Sequence, residues 1–469
     1  MKKIIGAIAF LVVANITLQA QEHQHQHTKK DTVPQKKEAA AHDHANHGAP
    51  QQQKPQQHQM QEGEDHGAHA MSHAFSRNLP MNRNGSGTGW LPDESPMYGY
   101  MKHKGDWMYM LHGNLFLRYN NQDLLNKGSR GDAKWDAPNW AMLMGQRPVG
   151  KKGLFHFNVM ASLDPLIAGG EGYPLLFQTG ETWKDVPLVD RQHPHDLLSE
   201  LSVSYAHALS PKADVFLYVG YPGEPALGPV AFMHRPSALA NPDATLSHHW
   251  TDATHITFGV ATLGVRYGNV KLEGSKFTGR EPDENRYNFD KPRFDSWSGR
   301  LSYNPTKKLA AQVSHAFIKE PELIHPGENV KRTTASVTYS TKVFMNNYFN
   351  ATALWGVNKK DHGEGENAVL VEGTYSERKW NIYSRYEWVQ KSAEELQLDE
   401  AVYGHHSIFP VHAFTAGANY DIFNIGKTKF ALGGHFTFFN PDKELSSLYG
   451  QNPIAGQLYL RIYPSLMSN

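Results

Sequence analysis

Trp380-Asn381-Ile382-Tyr383-Ser384-Arg385-Tyr386-Glu387-Trp388 changes character at every step. Trp380, Ile382, Ser384, Tyr386 and Trp388 share one face; Asn381, Tyr383, Arg385 and Glu387 share the other. A period of two is that of a strand half in an apolar medium and half in a polar one. Trp297 to Asn304, Val369 to Ser376 and Gln457 to Tyr463 read the same way. Counting comparable runs between turn residues predicts about sixteen strands. Their spans are 107–119, 139–147, 153–163, 197–209, 212–222, 254–267, 268–278, 293–304, 307–318, 330–342, 344–357, 365–376, 379–389, 409–421, 427–439 and 454–463.

The connections alternate between short and long. Short ones include Ser210-Pro211-Lys212, Tyr267-Gly268-Asn269 and Glu377-Arg378-Lys379. Long ones include 164–196 and 223–253. An even strand number with short turns at one end and long loops at the other is the layout of an outer-membrane barrel. The predicted fold is all-β, an antiparallel transmembrane β-barrel of about 16 strands preceded by a disordered His-rich N-terminal segment. Both termini then fall on the short-turn, periplasmic side. Trp107, Tyr119, Trp355, Trp388, Tyr420 and Tyr463 would suit interfacial girdles against outer-membrane lipid. Glu200, Glu372 and Glu387 beside Arg300, Arg385 and Arg461 would line the lumen as an internal salt-bridge network. The rival reading is a secreted soluble β-sandwich or propeller, but no blade-length repeat supports the latter.

The N-terminal residues read differently. Lys2 and Lys3 precede an apolar run from Ile4 to Ile16, and Ala20 offers a small residue for cleavage. Residues 1–20 are expected to be a secretory signal peptide. Residues 21–104 are expected to be a disordered His/Met-rich periplasmic segment and linker, the linker being 76–104, and 105–469 the barrel. Up to about Phe75 the chain has almost no aliphatic residues and cannot bury enough apolar surface to order itself. This stretch carries 10 of the 27 histidines. His23, His25 and His27, then His42, His44 and His47, then His66, His69 and His73 stand at chelating spacings. Imidazole ligates Cu or Zn, and thioether adds affinity for Cu(I). Nine of the 14 methionines lie between Met60 and Met144. The tail therefore offers capture of transition-metal ions and a docking segment for a periplasmic partner. The plain alternative is a solvated spacer.

Composition narrows the chemistry. The 469 residues include no cysteine, which excludes disulfides, thiolate metal sites and a cysteine nucleophile. Lysine and arginine total 46, as do aspartate and glutamate, so the net charge is 46 − 46 = 0. That balance gives no case for nucleic acid as a partner.

Two long loops concentrate histidine. One ends Asp190-Arg191-Gln192-His193-Pro194-His195-Asp196, and the other ends Ser247-His248-His249-Trp250-Thr251-Asp252-Ala253-Thr254-His255. If the loop bases share one rim, then His193, His195, Asp196, His248, His249, Asp252 and His255 form a candidate site for Zn²⁺ or Cu²⁺. The other reading is that these histidines brace the loops through Arg191, Arg235 and loop carbonyls. An enzyme finds less support, since no Gly-x-Ser-x-Gly or His-Glu-x-x-His run occurs. Ser204 with His207, and Ser314 with His315, are hydrolase candidates by proximity alone.

The segments Leu188 to Asp196, Gly223 to Leu239, Asn241 to Gly259, Gly279 to Glu284 and Asn288-Phe289-Asp290 carry a resemblance. Over about Met108 to Tyr339 the chain resembles a family of uncharacterised bacterial proteins predicted to be outer-membrane β-barrels. That resemblance implies the fold. In architecture alone, signal peptide, His/Met-rich tail and barrel, the chain is also similar to copper-resistance outer-membrane protein B. That similarity implies copper as a ligand.

Three functions follow as expectations. One is a channel or transport-associated barrel handling Cu or Zn. Another is a porin-like or structural barrel without a metal role. The third is a barrel-embedded hydrolase.

Overall fold

The computed structural model describes residues 72–323, 325–361, 364–404 and 407–467. The expected signal peptide and all of the tail histidines except His73 lie outside the described residues.

Sixteen strands close into an antiparallel barrel. In chain order they are β1 Trp107–Asn121, β2 Asn139–Val149, β3 Gly153–Ala161, β4 Leu198–Ser210, β5 Ala213–Gly220, β6 Val260–Tyr267, β7 Val270–Phe277 and β8 Ser296–Thr306. They continue as β9 Leu309–Ile318, β10 Val330–Phe344, β11 Asn347–Lys360, β12 Gly365–Glu377, β13 Trp380–Ser392, β14 Ile408–Ile425, β15 Thr428–Pro441 and β16 Ile454–Pro464. The seam pairs Leu115–Asn121 of β1 with Gly456–Ile462 of β16. Tyr100–Lys104 and Ala133–Asp136 add short strands beside the two ends of β1.

Each predicted strand is present, with ends moved by a few residues. The largest change is at β6, where residues 254–259 belong to the preceding loop. A second change lies in the 164–196 loop, which folds its own hairpin from Tyr173–Trp183 and Val186–Gln192. Tyr173 to Thr179 are buried on both faces, so they lack the alternation that betrays a half-buried strand.

Register follows the period of two. On β8, Trp297, Leu301 and Tyr303 point outward while Ser298, Arg300, Ser302 and Asn304 are buried inward. Leu263, Val313, Val371 and Ile382 are each at least half exposed. A belt of aliphatic side chains this open is a lipid-facing surface. Trp380, Trp355, Tyr119 and Tyr420 stand on it as expected. Tyr463 does not. It faces the lumen, where its hydroxyl donates to Asp421 at 2.7 Å, because β16 puts Gln457, Tyr459, Arg461 and Tyr463 on one face. The same alternation separates the hydrolase candidates. Ser204 and Ser314 face inward, whereas His207 and His315 face outward beside Tyr205 and Thr333.

The lumen is filled from two sides. Residues 76–104 do not form a free linker. From Ser72 to Tyr98 the chain runs through the short-turn half of the lumen. Phe75 packs 4.7 Å from Phe216 on β5, and Arg300 of β8 donates to Thr88. Lys271 stands over the Trp90 ring, and Asn304 donates to the Leu91 carbonyl. From the opposite end, residues 221–259 fold inward across the barrel. Arg235, Asp243 and Ser247 of this insertion meet Glu372, Arg118 and Glu387 of the wall. The two segments touch at Gly87. Its φ of +51° and a Cβ position 2.7 Å from the Glu224 side chain leave room for glycine alone. The expected salt-bridge network is present in part, because Glu200 bonds Ser202 and Tyr218, Glu387 bonds Ser247 and Arg461 bonds Asn114 instead of charged partners. Arg385 pairs with Glu372 at 3.0 Å, and Arg300 and Lys271 both pair with Glu273 at 3.1 Å.

Candidate metal site at the long-loop end

The insertion builds the site around Asp252. A single helical turn, His248–Thr251, sets His248 and Asp252 four residues apart on one face. The Asp252 carboxylate accepts from His248 Nδ1 at 2.7 Å through one oxygen. Through the other it accepts from Arg235 and from the Phe232 amide. Its backbone carbonyl accepts from His255 Nδ1 at 2.9 Å. Burial opposes ionisation of this carboxyl, but His248 and Arg235 outweigh it and hold the group well below the usual carboxylate range. Asp252 is thus a hydrogen-bond anchor for two imidazoles.

The hairpin loop supplies the rest. Asp164, at the start of that loop, accepts from His195 Nδ1 at 2.8 Å and is itself held by Asn139. Ring centroids of His195 and His255 are 5.4 Å apart, and those of His248 and His255 are 5.1 Å apart. Two imidazoles on one ion, with metal–nitrogen distances near 2.0–2.1 Å, bring their centroids to about 5 Å. Nε2 of His195, His248 and His255 are all buried and have no hydrogen-bond partner among the described residues. Buried polar atoms are normally paired, and these three imidazole nitrogens are not. An Nδ1–H held by a carboxylate or carbonyl, with Nε2 left free, is the tautomer that binds metal. Burial lowers the pKa of His248 and His255, and a neutral ring is the form that ligates. Where they stand, no three or more His, Cys, Asp or Glu groups among the described residues are placed to hold a metal ion together, so binding one would require the rings to move.

His193 and His249 flank this trio. Their rings lie 5.6 Å apart, and His248 lies 5.3 Å from His249. His193 Nε2 faces Glu181 at 3.2 Å, and His249 Nδ1 faces Glu281 at 3.7 Å. Gly180, at φ +106°, makes room for His249; a Cβ there would sit 2.3 Å from its ring. Asp196 departs from the expectation. It turns away toward Arg286, and burial followed by repulsion from Asp290 and Asp283 pushes its carboxyl up to about 8. His73 is also elsewhere, in the lumenal segment against Trp90 and Phe75. The bracing contacts divide. Arg235 does brace the site through Asp252, whereas Arg191 pairs with Asp132 at 2.6 Å instead. Sequence reasoning missed Asp164, Glu181 and Glu281. Glu181 was visible in Gly180-Glu181-Thr182-Trp183, but only the hairpin brings it to His193.

A second cluster ties the outer loops together. His325 contacts Glu322 through Nδ1 and Glu394 through Nε2, each at 2.8 Å, and Lys360 joins Glu394 at 3.0 Å. The bonds to Glu322 and Glu394 raise His325 to about 10. A raised histidine contributes stability below its ordinary pKa of about 6.5 and loses it as pH passes the folded value. The group is partly exposed, so the effect is modest. Proteolysis of the loop between β13 and β14 should therefore be slowest below about pH 6.5, rise progressively from there to about pH 10, and level off above it. A rate with no such dependence over that range would show that the tether is not formed.

No protein-family profile matches the chain, and no curated sequence does. Solved bacterial barrels share its general form. OmpF of Salmonella typhi, in complex with daunomycin, is 9% identical with a TM-score of 0.46, covering 78% of this chain and 99% of that one. The anion-selective porin of Comamonas acidovorans is 13% identical with a TM-score of 0.42, covering 76% and 99%. The outer membrane channel DcaP of Acinetobacter baumannii is 12% identical with a TM-score of 0.41, covering 78% and 100%.

Proposed function

We propose that this chain is a transport-associated outer-membrane barrel that binds a transition-metal ion, Zn²⁺ or Cu²⁺. The ion would be held by His195, His248 and His255 at the long-loop end. The observation that carries the reading is the set of three buried, partnerless Nε2 atoms whose rings are oriented from behind by Asp164 and Asp252. His193 and His249, both buried, extend the cluster toward Glu181 and Glu281. In this reading the short-turn side is periplasmic. The tail, from His23 to His69, would capture the same ions there and could meet a periplasmic partner. A hydrolase finds no support in Ser204 or Ser314, which stand apart from the neighbouring histidines.

One observation favours a second reading, a porin-like barrel without a metal role. The chain His248–Asp252–Arg235–Glu372 links the insertion to the wall and would serve bracing alone. Metal content of the full protein from cells supplied with zinc or copper separates the two. Metal handling predicts bound metal that falls by about one ion per chain in the His195→Ala/His248→Ala/His255→Ala variant. An unchanged content in that variant would leave the bracing reading. Substituting the tail histidines in the same experiment reads the tail's share.

A further inference from the structure

The strongest feature outside the loop site is a thioether patch on the lumen wall. Met108, Met110 and His112 follow one another on the inward face of β1. Met142 and Met144 do so on β2. The register sets Met110 directly opposite Met144, and His112 directly opposite Met142. Directly opposed side chains have Cβ atoms about 5 Å apart and are in reach of one another. From the lumenal segment, Met81 and Met97 close over this patch. Met81, Met97, Met110, His112, Met142 and Met144 line a cavity of about 100 Å³, together with Trp140 and His234.

Methionine fills irregular gaps, so a cluster alone would be packing. Here two further facts go beyond packing. The space is not filled. And His112 Nε2, which is shut off from solvent, has no hydrogen-bond partner among the described residues. Asn84 Nδ2 and Asn158 Oδ1 on the same lining are also buried without a partner, whereas the remaining polar neighbours are engaged. Asn114 donates to the Leu239 carbonyl and accepts from Arg461, whose guanidinium lies over the Tyr463 ring. No carboxylate lines the cavity, so nothing there favours a hard or doubly charged cation. Neutral thioethers with one imidazole select soft ions of low charge.

We propose that Met110, Met142, Met144 and His112, covered by Met81 and Met97, form a second binding site in the lumen for a soft monovalent cation of the Cu⁺ class. The site is separate in chemistry from the imidazole cluster above it. His234 lies between the two, 5.8 Å from the His112 ring and on the same insertion as His248. The proposal does not depend on the loop histidines being ligands.

The test uses the full mature protein in detergent micelles, labelled with ¹³C on methionine methyls, and Ag⁺ as a redox-inert probe. Met110→Leu and Met144→Leu assign two of the signals, and leucine for methionine is a volume-conserving change that the core tolerates. The expected result is that both signals move with the first equivalents of Ag⁺. His112→Ala should weaken that step by at least about tenfold. Zinc content should be unchanged in the leucine variants. If Ag⁺ moves only the remaining methionine signals while Met110 and Met144 stay fixed, the patch is packing and the proposal is overturned.

Discussion

Glu372→Ala should lower the unfolding free energy of the barrel by about 3–5 kcal/mol, the cost of breaking a buried ion pair from one side. Glu372 stands on β12 and is almost wholly buried. One carboxylate oxygen accepts from Arg235 Nε at 2.8 Å and from Ser237 at 3.0 Å, and the other accepts from Arg385 Nε at 3.0 Å. It thus joins the lumen insertion to the wall. Removing it leaves the Arg385 guanidinium inside the barrel without its counter-ion and Arg235 with Asp252 alone. Glu372→Gln keeps an acceptor and should cost less. Urea titration in micelles, read by the folded band on an unheated gel, measures both. A loss below about 1 kcal/mol would mean that water compensates the guanidinium groups and that the insertion is not clamped there.

The second large effect is on metal affinity. His195→Ala removes a proposed ligand, and Asp164→Asn removes only the carboxylate charge behind it. Losing an outer partner of a ligating histidine usually costs about 10–100-fold in affinity. Asp164→Asn should therefore weaken Zn²⁺ binding within that range, and His195→Ala by more. Competition with a zinc chelator on the full protein gives the order. Asp164 is a better probe than Asp252, because Asp252 also holds Arg235 and its loss would disturb the insertion. Equal, small effects from both variants would place the zinc elsewhere, for example on the tail.

The barrel was legible because lipid and lumen impose opposite polarity on alternate residues. Trp297 to Asn304 shows this on β8, and Trp380 to Trp388 on β13. What fills the lumen was not legible. Phe75, Trp90 and Leu91 look like stray apolar residues in a Gly/Pro/Asn-rich stretch, and only the closed barrel supplies the inner wall on which they pack. The hairpin at 173–192 was hidden for the related reason that burial on both faces erases the period of two. The loop histidines were found by density and spacing, and their convergence follows from two inserted loops sharing one rim. Asp196 looked like a ligand because it follows His195, yet adjacency on an extended chain turns successive side chains apart. Asp164 was 31 residues away in sequence from the histidine it orients. The methionine patch left a trace in Met108-x-Met110-x-His112 and Met142-x-Met144, which gains meaning only when the register sets those strands side by side.

The most direct measurement is X-ray absorption at the zinc edge on the full protein loaded with one equivalent of Zn²⁺. Three imidazole nitrogens at about 2.0 Å are predicted, reduced in the His195→Ala, His248→Ala and His255→Ala variants. A spectrum that is the same in the wild type and in all three variants would contradict the assignment of these histidines as a metal site.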